Sequence, residues 1–219
     1  EEIEQALGAG SRRAEDVDIV IVTDSEGILG IGDQGVGGIE ICLGKKSLYT
    51  AAGGVDPNRM LAVVLDVGTD NLALLNDDLY MGLKKARVRD ERYDEFVAAF
   101  VAAAGRVFPG AMIHWEDFGA NNAHRLLHTY RDQICSFNDD IQGTACVTTG
   151  ALMAAMQITG ESLRDQRIAI LGGGSAGIGI ADLIKRAMVE QGMSEEEAKA
   201  MTAEADAAQI EKAQLFGAE

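Results

Sequence analysis

The sequence predicts an α/β protein: a parallel, doubly wound sheet followed by the first part of a dinucleotide-binding domain. Three observations predict it. Continuous apolar runs alternate with segments of helical periodicity along the chain. All but the last of the runs lead into acidic residues, at the strand ends where open α/β sheets bind their ligands. A GxGxxG turn, Gly172–Gly177, stands between the last run and a helical segment.

The elements follow in order. Ile19–Thr23, Leu61–Leu65, Ala111–Trp115 and Ile168–Leu171 are short apolar runs, and Ile134–Phe137 is a weaker one. Unbroken rather than alternating hydrophobicity is the pattern of strands covered on both faces, as in a parallel sheet. Asp90–Val107 carries apolar residues at 93, 96, 97, 100, 101, 104 and 107, the spacing of an amphipathic helix, and Pro109-Gly110 stops it. Gly143–Thr159 is apolar almost all round and reads as a buried central helix. Ala176–Gln191 follows the last strand. Ser194–Gln214 reads as one continuous acidic helix with no strand in it. The division expected is a metal and substrate domain over residues 1–141 and a partial cofactor domain over 142–219.

Composition narrows the partners. The chain has 219 residues, 47% of them apolar, and a formal net charge of −16. That charge makes nucleic acid and anionic membrane poor partners. No apolar run approaches the roughly 20 residues of a membrane span. The start, Glu1-Glu2-Ile3-Glu4, resembles neither a signal nor a transit peptide. With no initiator Met, the chain is expected to begin inside a longer protein. Cys42, Cys135 and Cys146 sit in apolar stretches without CxxC or CxxH spacing, so they read as reduced core thiols of a cytoplasmic protein. Trp115 and the methionines read as core.

Chemistry gathers at the strand ends: Asp24, Asp66, Glu116-Asp117 and Asp139-Asp140. Acids at strand ends also cap the helices that follow. One per strand fits capping, whereas adjacent doublets repel unless a cation neutralises them. Carboxylates without His or Cys partners favour a hard ion such as Mg²⁺ or Mn²⁺. Gly172–Gly177 suits a pyrophosphate, because its glycines allow close backbone approach and a helix N-terminus favours anions. Lys45 or Lys46 could carry a proton near a carboxylate cluster, and spacing does not choose between them. His114, His124 and His128 give little, and Tyr49 and Tyr80 stand in no catalytic arrangement.

Together these residues resemble the malic enzyme family. The matching stretches are Val22–Gly35 (VTDSEGILGIGDQG), Gly44–Gly54 (GKKSLYTAAGG), Val63–Asn71 (VVLDVGTDN), Leu74–Gly82 (LLNDDLYMG), Trp115–Phe118 (WEDF), Phe137–Ala145 (FNDDIQGTA) and Leu171–Ile180 (LGGGSAGIGI). The resemblance implies oxidative decarboxylation of L-malate to pyruvate and CO₂ with NAD or NADP and Mn²⁺ or Mg²⁺. It implies Glu116, Asp117 and Asp140 as metal ligands, Lys45 as the base for the malate hydroxyl, and Asp139 as the residue that orients it. Gly172, Gly174, Ser175, Ala176 and Gly177 would hold the cofactor. L-malate is the expected substrate and a homo-oligomer the expected assembly.

The chain departs from the family pattern in places. Gly27 stands where many members carry an Arg after TDxE, and Lys46 replaces a usually apolar residue. The family's N-terminal Tyr acid and its later substrate-binding asparagines have no counterpart, so these 219 residues alone are not expected to turn over malate. Malolactic enzymes, which convert L-malate to L-lactate and CO₂, resemble the chain at Gly27 and in Ile113–Gly119 (IHWEDFG). The rival readings are that activity, a catalytically inactive module of the family, and a plain dinucleotide-binding protein.

Overall fold

A computed structural model describes residues 2–9 and 13–205. The chain forms two compact units, the first ending at Phe137 and the second starting at Asn138.

The first unit is built on β1 (Ile19–Thr23), β2 (Met60–Val64), β3 (Met112–Trp115) and β4 (Ser136–Asn138), in sheet order β2-β1-β3-β4. Both neighbours of β1 run parallel to it: Val20 faces Leu61 on one side and Ile113 on the other. Helix α1 (Glu2–Gly8) precedes the sheet, α2 (Ile39–Gly53) links β1 to β2, and α5 (Ala120–Tyr130) follows β3. Between β2 and β3 come the single turn α3 (Leu72–Leu75) and α4 (Glu91–Val107), which starts where Asp90 accepts from the Arg92 amide.

Strand alternation sorts the core onto two faces. Ile21 packs with Cys42 of α2 and with Met60, while Ile39 and Tyr49 of α2 close around them. The opposite face holds Trp115, whose ring meets Phe100 of α4 edge-on and stacks on Tyr130 of α5. Helices thus cover both faces of the sheet, as double winding requires.

In the second unit β5 (Ile168–Leu171) pairs in parallel with β6 (Thr202–Ala205). Helix α6 (Thr144–Thr159) precedes β5; α7 (Ser175–Glu190) and α8 (Glu195–Met201) separate the two strands. Leu163, Ile184, Met188 and Ala198 form the core of this unit.

Several expectations are corrected. The continuous acidic helix over 194–214 is replaced by α8 and β6, and residues beyond 205 lie outside the described residues. Ser194 and Glu197 cap α8 reciprocally, so the acids that suggested a long helix serve its first turn. Thr202 then turns to extended backbone and β6 begins. Helix α6 is not buried all round: Val147 and Ile158 are exposed, and Ala145 and Thr149 are its buried residues. Strand β5 likewise exposes Leu171. Its apolar run ensures a strand, but its sheet has two strands among the described residues. Only Cys42 is a core thiol, since Cys135 and Cys146 are exposed, and Met81 and Met153 are exposed too.

One ion pair ties the loops after β1 and β2 together. Asp33 accepts from Nε and a terminal nitrogen of Arg87, both at 2.7 Å, from the Asp70 and Gly35 amides, and from the Thr69 hydroxyl. Burial pulls the Asp33 carboxyl upward, but these donors outweigh it and hold its pKa at about 2, against an ordinary 3.8. Asp33 therefore adds stability above about pH 4 that is lost as pH falls towards 2. Solvent still reaches the Asp33 side of the pair, so the gain is roughly 1–2 kcal/mol. Asp33→Asn should cost about 3 kcal/mol at neutral pH, because it strands the buried guanidinium. Urea unfolding between pH 2 and 7 checks both: the variant should lack the acid-dependent loss assigned to Asp33.

Candidate functional site

The strand order places the site. The chain leaves β1 towards β2 on one side and returns to β3 on the other, so a crevice opens beyond the carboxyl ends of β1 and β3. Thr23 and Asp24 occupy one lip of that crevice, and Glu116 and Asp117 the other; all four are buried.

Lys45 reaches the crevice from the middle of α2, with Nζ 3.1 Å from Glu116 Oε1. Four residues on, the hydroxyl of Tyr49 lies 2.8 Å from Nδ1 of His114. His114 is fully buried, and its Nε2 is hydrogen-bonded to Glu116 Oε2. Sequence reasoning missed Tyr49 and His114. The sequence held part of the signal, since 45 and 49 share a helix face and 114 and 116 follow strand alternation; that α2, packed over β1 and β2, reaches His114 and Glu116 is a tertiary contact.

The carboxylates mark their surroundings. The buried thiol of Cys42 is pushed up to about 12, first by burial and then by the charges of Glu116 and Asp117. Burial also raises Asp24, although the Tyr93 hydroxyl donates to its Oδ2 at 2.7 Å. Tyr93 is raised in turn, by burial and by Asp24.

The backbone around the doublet is drawn tight. Ser25 and Asp117 adopt left-handed conformations, with φ of 61° and 51°, which cost non-glycine residues of order 1–3 kcal/mol. The Gly27 amide donates to the Asp117 carbonyl at 2.9 Å. A Cβ on Gly27 would lie 2.5 Å from the Phe118 carbonyl oxygen, so no larger residue fits this backbone. The position that carries an Arg in many family members is closed here by geometry.

In the second unit, Asp139 and Asp140 open a π-helical turn over Asp139–Gly143 that leads directly into α6. Asn138 caps the turn by accepting from the Ile141 amide at 2.9 Å. Such wide turns recur at functional sites. In the glycine-rich turn, Gly172 has φ of 112°, and a Cβ on Gly177 would sit 1.9 Å from the Gly172 carbonyl oxygen. Gly174 is the residue before α7, whose first residues are Ser175, Ala176 and Gly177. The βαβ unit around this turn includes the second strand, β6, that the sequence reading lacked.

Fold and geometry define the class: an α/β protein with a lysine–carboxylate crevice at a sheet switch point and a dinucleotide-type βαβ unit. A family model described as the malic enzyme N-terminal domain matches residues 1–131, and one for the malic enzyme NAD-binding domain matches residues 141–209. The chain belongs to the malic enzyme family. It is 54% identical over 185 residues to NAD-dependent malic enzyme 3 of Bacillus subtilis, covering 84% of this chain and 33% of that one. It is 53% identical over 184 residues to the mitochondrial NAD-dependent malic enzyme of Saccharomyces cerevisiae, covering 84% and 28%. The chain thus spans about a third of the length of these curated relatives. The crystal structure of malic enzyme from Pyrococcus horikoshii superposes with a TM-score of 0.64 at 22% identity, over 94% of this chain and 40% of that one. At that identity the likeness concerns the fold. No helix among the described residues is long and apolar enough to cross a membrane.

Gly27→Ala tests the tight approach. In an open turn an alanine would be neutral or stabilising, whereas here it should destabilise the chain by about 1–3 kcal/mol, as overpacking does. Thermal unfolding of the two chains gives the answer, and an unchanged or higher melting temperature would contradict the close contact.

Proposed function

We propose that the chain carries metal- and substrate-handling machinery, and the opening of the cofactor domain, of an NAD-dependent malic enzyme. That enzyme converts L-malate oxidatively to pyruvate and CO₂ and is a cytoplasmic homo-oligomer. The observation that carries the reading is Lys45 facing buried Glu116 beside Asp117. Two adjacent carboxylates almost without water, compensated by one ammonium, form a donor set suited to a hard divalent cation. We assign Glu116, Asp117 and Asp140 as ligands of Mn²⁺ or Mg²⁺. Residues 1–141 act as the metal and substrate domain and 142–219 as part of the cofactor domain. NAD is favoured over NADP by the names of the relatives.

The bound ion would acidify the malate hydroxyl and withdraw charge from the ketone during decarboxylation. With the ion in place of its ammonium as the counter-charge to Glu116, Lys45 would give up its own proton to solvent, and its neutral Nζ would then accept the hydroxyl proton, with Asp139 orienting it. Gly172, Gly174 and Gly177 let the backbone approach the cofactor pyrophosphate, while Ser175 and Ala176 present amides at the start of α7. Exposed Leu29, Leu79 and Met81, on loops joined through Asp33 and Tyr80, support self-association.

A second reading, malolactic activity, is favoured by one observation: the backbone at Gly27 leaves no room for an arginine. The two part on product, pyruvate with NADH in one case and lactate in the other.

The test is calorimetric titration of the chain with Mn²⁺ in the presence and absence of oxalate. Metal-dependent oxalate binding is expected, and its absence would favour an inactive module. Asp140→Asn should weaken Mn²⁺ more than Asp139→Asn; equal effects would refute the assigned roles. Lys45→Ala should leave Mn²⁺ binding intact and, in enzyme that turns over malate, lower kcat by roughly 10²–10⁴-fold, the usual worth of a general base. If Lys46→Ala were the inactivating change, the base would be misassigned.

A further inference from the structure

We infer that Tyr49 and His114 are positioning residues for Glu116: they hold its Oε2, so that Oε1, paired with Lys45, is the oxygen that turns to the cation site. The inference deepens the proposed function and rests on its assignment of Glu116 as a metal ligand. Four residues form two rungs between α2 and β3. Lys45 and Tyr49, one helical turn apart, stand opposite Glu116, the residue just after β3, and His114 within it. One rung is Lys45 Nζ to Glu116 Oε1 at 3.1 Å. The other is the Tyr49 hydroxyl to His114 Nδ1 at 2.8 Å. His114 Nε2 on Glu116 Oε2 joins the rungs.

Proton counting orients the chain. An ionised carboxylate only accepts, so the Nε2 facing it must carry a hydrogen. In the neutral ring Nδ1 then holds a lone pair, and the Tyr49 hydroxyl donates to it. The opposite tautomer would set the Nε2 lone pair against a carboxylate oxygen. His114 is 0% exposed. Tyr49 lies against its ring with centroids 5.6 Å apart, and Phe137 lies on it at 4.6 Å. The ring therefore cannot swing to water for another partner. Groups that fix a ligating carboxylate in this way typically affect metal affinity 10–100-fold.

The experiment has two arms on the purified chain. Long-range ¹H–¹⁵N correlation with ¹⁵N-histidine, without metal, should show His114 as the Nε2–H tautomer. Tyr49→Phe should shift its Nδ1 resonance. Mn²⁺ titration should then rank the variants. His114→Gln, whose amide can place a donor near Nε2, should bind within about 3-fold of wild type, while His114→Leu should bind 10–100-fold more weakly. Should the leucine variant fail to fold, the Gln and Phe variants still decide. An Nδ1–H or doubly protonated His114, or folded Leu and Gln variants weakened alike, overturns the positioning role. Wild-type chain with the expected tautomer but no Mn²⁺ binding overturns instead the metal assignment on which the role depends.

Discussion

At the carboxyl end of β3 the chain buries Glu116 and Asp117 side by side. Ionised carboxylates in that setting repel each other unless cations and donors surround them. Much of the first unit serves this demand. Helix α2 lies where Lys45 can bring positive charge to Glu116, and β3 places His114 to donate to the other oxygen. The thiol of Cys42, displaced upward to about 12, registers the same negative field from the sheet face below. Under the proposed metal assignment, a divalent ion would meet carboxylates that are already buried.

The strained backbone has the same origin. A strand continued straight past Trp115 would carry Asp117 to the opposite face from Glu116. The left-handed conformation at Asp117 bends the chain as it leaves the strand. The left-handed Ser25 makes the matching bend after β1, and the Gly27 amide locks the two bends through the Asp117 carbonyl. Asp33, gripped by Arg87, fixes the loop that follows.

Much of this was legible in the sequence, and what escaped has physical reasons. The β-branched runs and the Asp90-capped helix follow from local patterning, and the structure has them within one or two residues. Ser194–Gln214 misled because its Glu and Ala residues favour helix anywhere, whereas the pairing of Thr202–Ala205 with β5 is a non-local contact. Gly143–Thr159 is apolar enough for burial on all sides, but burial depends on what neighbours an element, which periodicity does not encode. The acidic doublets and Lys45 were readable as chemistry. Tyr49 and His114 were not, because each looks ordinary until α2 is packed against the sheet and the i, i+4 and i, i+2 spacings coincide.

The contact at Gly27 has an evolutionary consequence. Because the Phe118 carbonyl fills the space a Cβ would need, position 27 and the Asp117–Phe118 segment, some ninety residues apart in sequence, cannot diverge independently. A lineage that gains a side chain at 27 must first or simultaneously re-route the backbone beside the carboxylate doublet. A single substitution would disturb the site before the new side chain could be tested for use. The turn is thus an epistatic lock, in which the glycine records the path of a distant segment.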